Sequence, residues 1–73
     1  MHSILAKRIR EIRLKAQLRQ ENFARLCRTT SATVSRWESG RSEPRARHLK
    51  AIANIAGITV DELLSEEESW GAA

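Results

Sequence analysis

The 73-residue chain has a single cysteine, Cys27, so it can form no disulfide within itself. Its two histidines, His2 and His48, do not group with that cysteine in any zinc-ligand spacing, and no metal or other cofactor is expected. No apolar run approaches the roughly 20 residues needed to span a bilayer. The opening MHSILAKRIR lacks the apolar stretch of a signal peptide. A lone thiol suits a reducing compartment, so a soluble cytoplasmic domain is expected. There are no internal repeats, no low-complexity segments and no strand-like alternation of apolar and polar residues. Without staples, a chain this short depends on one small apolar core, or on that core and a partner.

What is present is charge, unevenly placed. Residues 1–50 hold all thirteen Lys and Arg against four acids, a net +9, while residues 51–73 hold five acids and no base, a net −5. Random solvated charge is common on small proteins, but this segregation suggests a basic surface for a polyanion and a separate end that avoids it.

Helix signals recur along the chain. Leu5, Ile9, Ile12 and Ala16 fall on one helical face, with Lys7, Arg8, Arg10 and Glu11 elsewhere. A second helix opens at Gln20, where Leu18 and Phe23 form a hydrophobic staple and Ala24 and Cys27 continue the buried face. Thr30 is a good N-cap for a third helix, and Gly40 a good residue to end it. Pro44 starts a fourth, with Leu49, Ile52, Ala53 and Ala56 as its stripe and Gly57 as its stop. Thr59 with Glu62 forms a capping box for a fifth, stapled by Ile58 and Leu63. The pattern predicts an all-α, five-helix domain over residues 1–64, followed by an acidic, frayed tail over 65–73. The link between the second and third helices, only two or three residues long, forces a sharp corner.

The third helix is unusually poor in apolar residues. On a wheel of about 100° per residue, Val34, Trp37 and Glu38 share one side. Ala32, Ser35, Arg36 and Ser39 share the other, with Ser31 and Thr33 at its edges. The first side is minimal but contains a Trp that can pin the helix to a core. The second is slim, which suits close approach to a DNA major groove about 12 Å wide. Ser and Thr can hydrogen-bond base edges or phosphates, Ala can meet a thymine methyl, and Arg can take both acceptors of a guanine. An ordinary surface helix with a small-residue face fits the same residues.

The order and spacing of several segments resemble the Cro/lambda-repressor-like (XRE) helix-turn-helix family over about residues 4–64. These are KRIREIR, Gln20-Glu21 with Ala24, VSRWESG ending at Gly40, RSEP at 41–44, LKAIANIAGI and TVDELL. The resemblance implies a five-helix bundle with its helix-turn-helix at about 20–39, and a bacterial or phage regulator that binds duplex DNA. It places Ser31, Ala32, Ser35 and Arg36 toward base edges. It gives Gln20, Thr30, Thr33, Arg41, Arg45 and Arg47 to phosphates, although each arginine taken alone reads more readily as a solvated surface charge than as a specific contact. It also implies a structural Arg13–Glu38 pair. An acid near a helix C-terminus and beside Trp37 needs a cation, and Arg13 lies at the inner edge of the first helix's stripe. Two positions depart from the family pattern. Arg28 stands where glycine is usual in the turn, at a strain of about 1–2 kcal/mol if the backbone there is left-handed. Arg19 replaces the usual Ser or Thr cap before Gln20.

No acid–base pair is arranged for catalysis, so an enzyme is not expected. Cys27 reads as a small core residue and His48 as a surface one. An antitoxin or protein-interaction module on the same fold, or an RNA binder, are the alternatives. Val60, Leu63 and Leu64 exceed what the tail can cover, and Trp70 would lie nearly in line with Leu63 if the last helix continued; together they suggest a weak homodimer on a two-fold DNA site.

Overall fold

A computed structural model describes residues 4–66, and the described residues form five helices. These are α1 (Ile4–Lys15), α2 (Gln20–Leu26), α3 (Ser31–Ser39), α4 (Ala46–Ala56) and α5 (Val60–Leu64). The punctuation that starts them is local. The Thr30 hydroxyl accepts from the Thr33 backbone N–H at 3.2 Å. Thr59 and Glu62 form a complete capping box, each bond 3.0 Å long. The third and fourth helices end on left-handed glycines, Gly40 (φ 78°) and Gly57 (φ 71°).

The same stop recurs without glycine. Thr29 N–H donates to Ala24 O at 2.9 Å and Arg28 N–H to Arg25 O at 3.1 Å, the paired bonds of a Schellman motif. That motif drives Arg28 into the left-handed region, φ 59°. An equivalent pair, Leu18 N–H to Arg13 O and Gln17 N–H to Leu14 O, ends α1 with Gln17 at φ 58°. Arg28→Gly is therefore expected to raise the unfolding free energy by about 1 kcal/mol, measured by urea denaturation, because Arg28 is exposed and only its backbone is strained.

Three local expectations need correction. The corner between α2 and α3 occupies four residues, 27–30, because the Schellman stop needs its own residue before Thr30 can cap. Pro44 does not start α4 but lies two residues before it, buried, and Arg45 takes the N-cap without a side-chain bond. Ala16 lies beyond α1 and is exposed; Ala6 and Arg8 occupy the inner surface instead.

All five helices contribute to one core of Ile9, Ile12, Phe23, Ala24, Cys27, Val34, Trp37, Ile52, Ala53 and Leu63. Leu5, Leu49 and Ile58 are half-buried at its margin rather than inside it. Burial pushes the Cys27 thiol up to about 11, which suppresses the thiolate and fits a core hydrophobe. Leu63 is fully buried, so it closes the core and cannot sit on a dimer surface. Leu64 is 47% exposed, and Val60 packs on the core edge. Trp70 and nearly all of the acidic tail lie outside the described residues.

Two charged or polar side chains are unexpectedly interior. Arg8 is buried, and its Nη1 donates to the carbonyls of Leu63 (2.9 Å) and Ser65, tying α1 to the end of α5. His48 is not a surface residue; its ring lies 5.1 Å from that of Trp37, and neither ring nitrogen has a hydrogen-bond partner among the described residues. Burial, then the charges of Arg47 and Arg45, lower its pKa below the ordinary 6.5. The unfolded chain therefore binds more protons in that window. The stability is fully present above about pH 6.5 and declines as pH falls toward the folded pKa, by at most about 1.4 kcal/mol per pH unit. His48→Leu is expected to flatten that slope in denaturation curves taken between about pH 7 and 5.

Candidate nucleic-acid interface

The third helix has two opposite faces. Inward, Val34 and Trp37 are buried, and α3 packs on α1 and α2. Near its C-terminus Glu38 accepts from Arg13 Nε at 2.6 Å and from Arg13 Nη2 at 3.1 Å, a bidentate pair with side chains 12% (Arg13) and 7% (Glu38) exposed. Arg13 Nη1 also donates to Leu18 O at 2.9 Å. Gln20 Nε2 donates to Glu38 Oε1 at 3.3 Å. Three elements thus meet at one carboxylate: α1 through Arg13, α2 through Gln20 and α3 through Glu38 itself. The Gln20 and Leu18 bonds carry no sequence signal, because they depend on how the first two helices are set against the third.

Outward, Ser31, Ala32, Ser35 and Arg36 are exposed, and Thr33 and Ser39 are half-exposed. The Thr30 and Thr33 hydroxyls lie 3.0 Å apart beside the helix start. Ser39 Oγ donates to Arg36 O at 3.1 Å and is turned back on the helix. The Arg36 guanidinium has no hydrogen-bond partner among the described residues. Exposed bases also occur in the segments that follow α3: Arg41 just after it, and Arg45 and Arg47 at the start of α4. Arg28 and Arg47 border a shallow depression of about 370 Å³ with Leu26, Cys27 and Ala51. Its place in the turn brings Arg28 to this rim. Arg8 and Arg13 are engaged within the fold and do not belong to the basic surface. No group of His, Cys, Asp and Glu able to hold a metal ion occurs among the described residues. Nor is any helix there long and apolar enough to cross a membrane.

A family model described as Helix-turn-helix matches residues 9–63, three-quarters of the chain. The chain belongs to the helix-turn-helix family. In this helix-turn-helix, α2 and α3 are the two helices of the motif and residues 27–30 are its turn. Two curated relatives are transcriptional regulators. The chain is 36% identical over 62 residues to the HTH-type transcriptional activator BcrR of Enterococcus faecalis, covering 85% of this chain and 30% of the relative. It is 34% identical over 67 residues to the HTH-type transcriptional regulator DdrOP3 of Deinococcus deserti, covering 92% and 52%. The chain thus spans about a third to a half of these relatives' length. Among solved structures, the P22 c2 repressor in complex with a synthetic operator superimposes with a TM-score of 0.80 at 26% identity, covering 89% of this chain and 98% of that one. The solution structure of the DNA-binding domain of the same repressor also gives a TM-score of 0.80, at 23% identity, over the whole of this chain and 93% of that one. The lambda-repressor-like, five-helix expectation therefore holds.

Proposed function

We propose that this helix-turn-helix domain is a sequence-specific duplex-DNA-binding transcriptional regulator of bacterial or phage repressor type, with α3 in the major groove. The observation that carries this reading is the division of α3: one face is held by Val34, Trp37 and Glu38, and the other presents short side chains and one unpartnered arginine. In this reading Ser31, Ala32, Ser35 and Arg36 meet base edges. Gln20, Thr30, Thr33, Arg41, Arg45 and Arg47 meet phosphates on either side of the groove. A chromosomal target places the protein in the cytoplasm, at the nucleoid. The operator complex of the similar P22 c2 repressor supports the choice of duplex DNA over RNA.

Selection of bound sequences from a random duplex library tests the whole reading. It should return a recurrent motif; recovery of unenriched sequence would rule out sequence-specific recognition. Arg36 is the one long side chain on the outer face, so Arg36→Ala should weaken binding to the selected site by about 1–3 kcal/mol and to scrambled duplex by less. Equal loss on both would assign Arg36 to the phosphate backbone instead. A two-fold site would have half-sites about 34 Å apart. A weak homodimer on that site would rely on Leu64 and the edge of Val60, since Leu63 is inside the core. Sedimentation of the chain with the selected duplex gives the stoichiometry, and a strict 1:1 complex would oppose the dimer.

A further inference from the structure

The carboxylate that joins α1, α2 and α3 does more than bind a cation. A carboxylate offers only acceptors. Glu38 Oε2 takes Arg13 Nε, while Oε1 takes both Arg13 Nη2 and, at 3.3 Å, Gln20 Nε2. Were the Gln20 amide turned over, its carbonyl oxygen would face that carboxylate. Only the nitrogen-inward orientation is compatible. Arg13 Nη1 in turn holds Leu18 O, two residues before Gln20, so the carboxylate is fixed relative to the start of α2. The Gln20 amide nitrogen carries two hydrogens and spends one on Glu38. Gln20 is half-exposed, and its side chain makes no other hydrogen bond among the described residues.

We propose that Glu38 is a positioning residue for DNA binding, holding the Gln20 amide so that its second N–H is presented to a DNA phosphate. The inference rests on the duplex-DNA reading above and deepens it. A phosphate is acceptor-only, as Glu38 is, so an amide that bridges the two must be nitrogen-first toward both. A free glutamine would have to be ordered on binding, and immobilising one such side chain corresponds to about two- to tenfold in affinity. Glu38 accomplishes that ordering before DNA arrives.

The test is a double-mutant cycle read by affinity for a short mixed-sequence duplex, because a phosphate contact requires no known operator. Gln20→Ala should lower affinity about three- to tenfold. The salt dependence should be unchanged, since a neutral donor displaces no counterion. Glu38→Gln keeps an acceptor for Arg13 but gains a donor that allows the Gln20 amide to turn over. It should lower affinity by about threefold when Gln20 is present. In the Gln20→Ala background the same change should cause no loss, or a slight gain from removing a negative charge. A purely structural or electrostatic Glu38 would have the same effect in both backgrounds, and that additivity overturns the proposal. Circular dichroism establishes that each variant is folded at the assay temperature.

The side-chain amide protons of Gln20 in the unsubstituted chain give a second measurement that does not depend on variants. One should shift on addition of duplex while the Glu38-bound one stays, and a duplex that moves neither also overturns the proposal. If the unsubstituted chain binds no duplex at all, the DNA-binding reading fails and this inference falls with it. Binding with additive substitutions removes the inference alone.

Discussion

Replacing Glu38 by alanine is expected to lower the unfolding free energy by about 3–5 kcal/mol, measured by chemical denaturation. The loss is large because of what remains. The Arg13 side chain is only 12% exposed, and without Glu38 its guanidinium retains the Leu18 carbonyl as its recorded partner. A nearly buried cation would then be left without its counter-charge, and the Gln20 amide would lose its acceptor. A domain of this size has roughly 4–11 kcal/mol in total, so Glu38→Ala approaches the limit of folding. Arg13→Ala should cost a comparable amount, since it strands the carboxylate instead. The double variant should be less destabilised than the two single losses combined, because neither charge is left alone. Single losses below about 1 kcal/mol would mean that the pair behaves as an exposed one.

Trp37→Ala should cost about 3–5 kcal/mol for a different reason. Only Val34 and Trp37 on α3 are buried, so Trp37 supplies most of the apolar surface holding that helix to the bundle. Its removal leaves a cavity between α3 and α4 and deprives the His48 ring of its partner at 5.1 Å. With α3 loosened, DNA affinity should fall together with stability, on selected and scrambled duplex alike. Arg36→Ala should leave stability unchanged, because Arg36 is exposed. Denaturation should be followed by far-ultraviolet circular dichroism, since the substitution removes one of the two tryptophans. Retention of full stability by Trp37→Ala would show that α3 is held by Glu38 and its partners rather than by packing.

Helix starts and stops were legible where the chemistry is local. Thr30, Thr59 with Glu62, Gly40 and Gly57 each act within a few residues of themselves, so sequence spacing contains the whole interaction. The non-glycine stops differed. Arg28 could be flagged only conditionally, and Gln17 gave no signal, because the backbone bonds of a Schellman motif do not depend on residue type. His48 and Arg8 were misplaced for a related reason. A polar residue next to an apolar stripe looks solvated until another helix covers it. Trp37 lies against the former, and the end of α5 receives the latter.

The amino-acid sequence by itself determined the helical class, the number of helices, the two-sidedness of the third and the segregation of basic from acidic residues. Each follows from a periodicity of 3.6, from caps or from a count. The tertiary structure decided which polar groups are inside, that Leu63 is core rather than surface, and that Arg13, Glu38 and Gln20 meet at one point. The physical reason is range. Periodicity and capping act over a turn of helix, whereas a bond between residues 13 and 38 exists only after two helices have been fixed at one separation and angle.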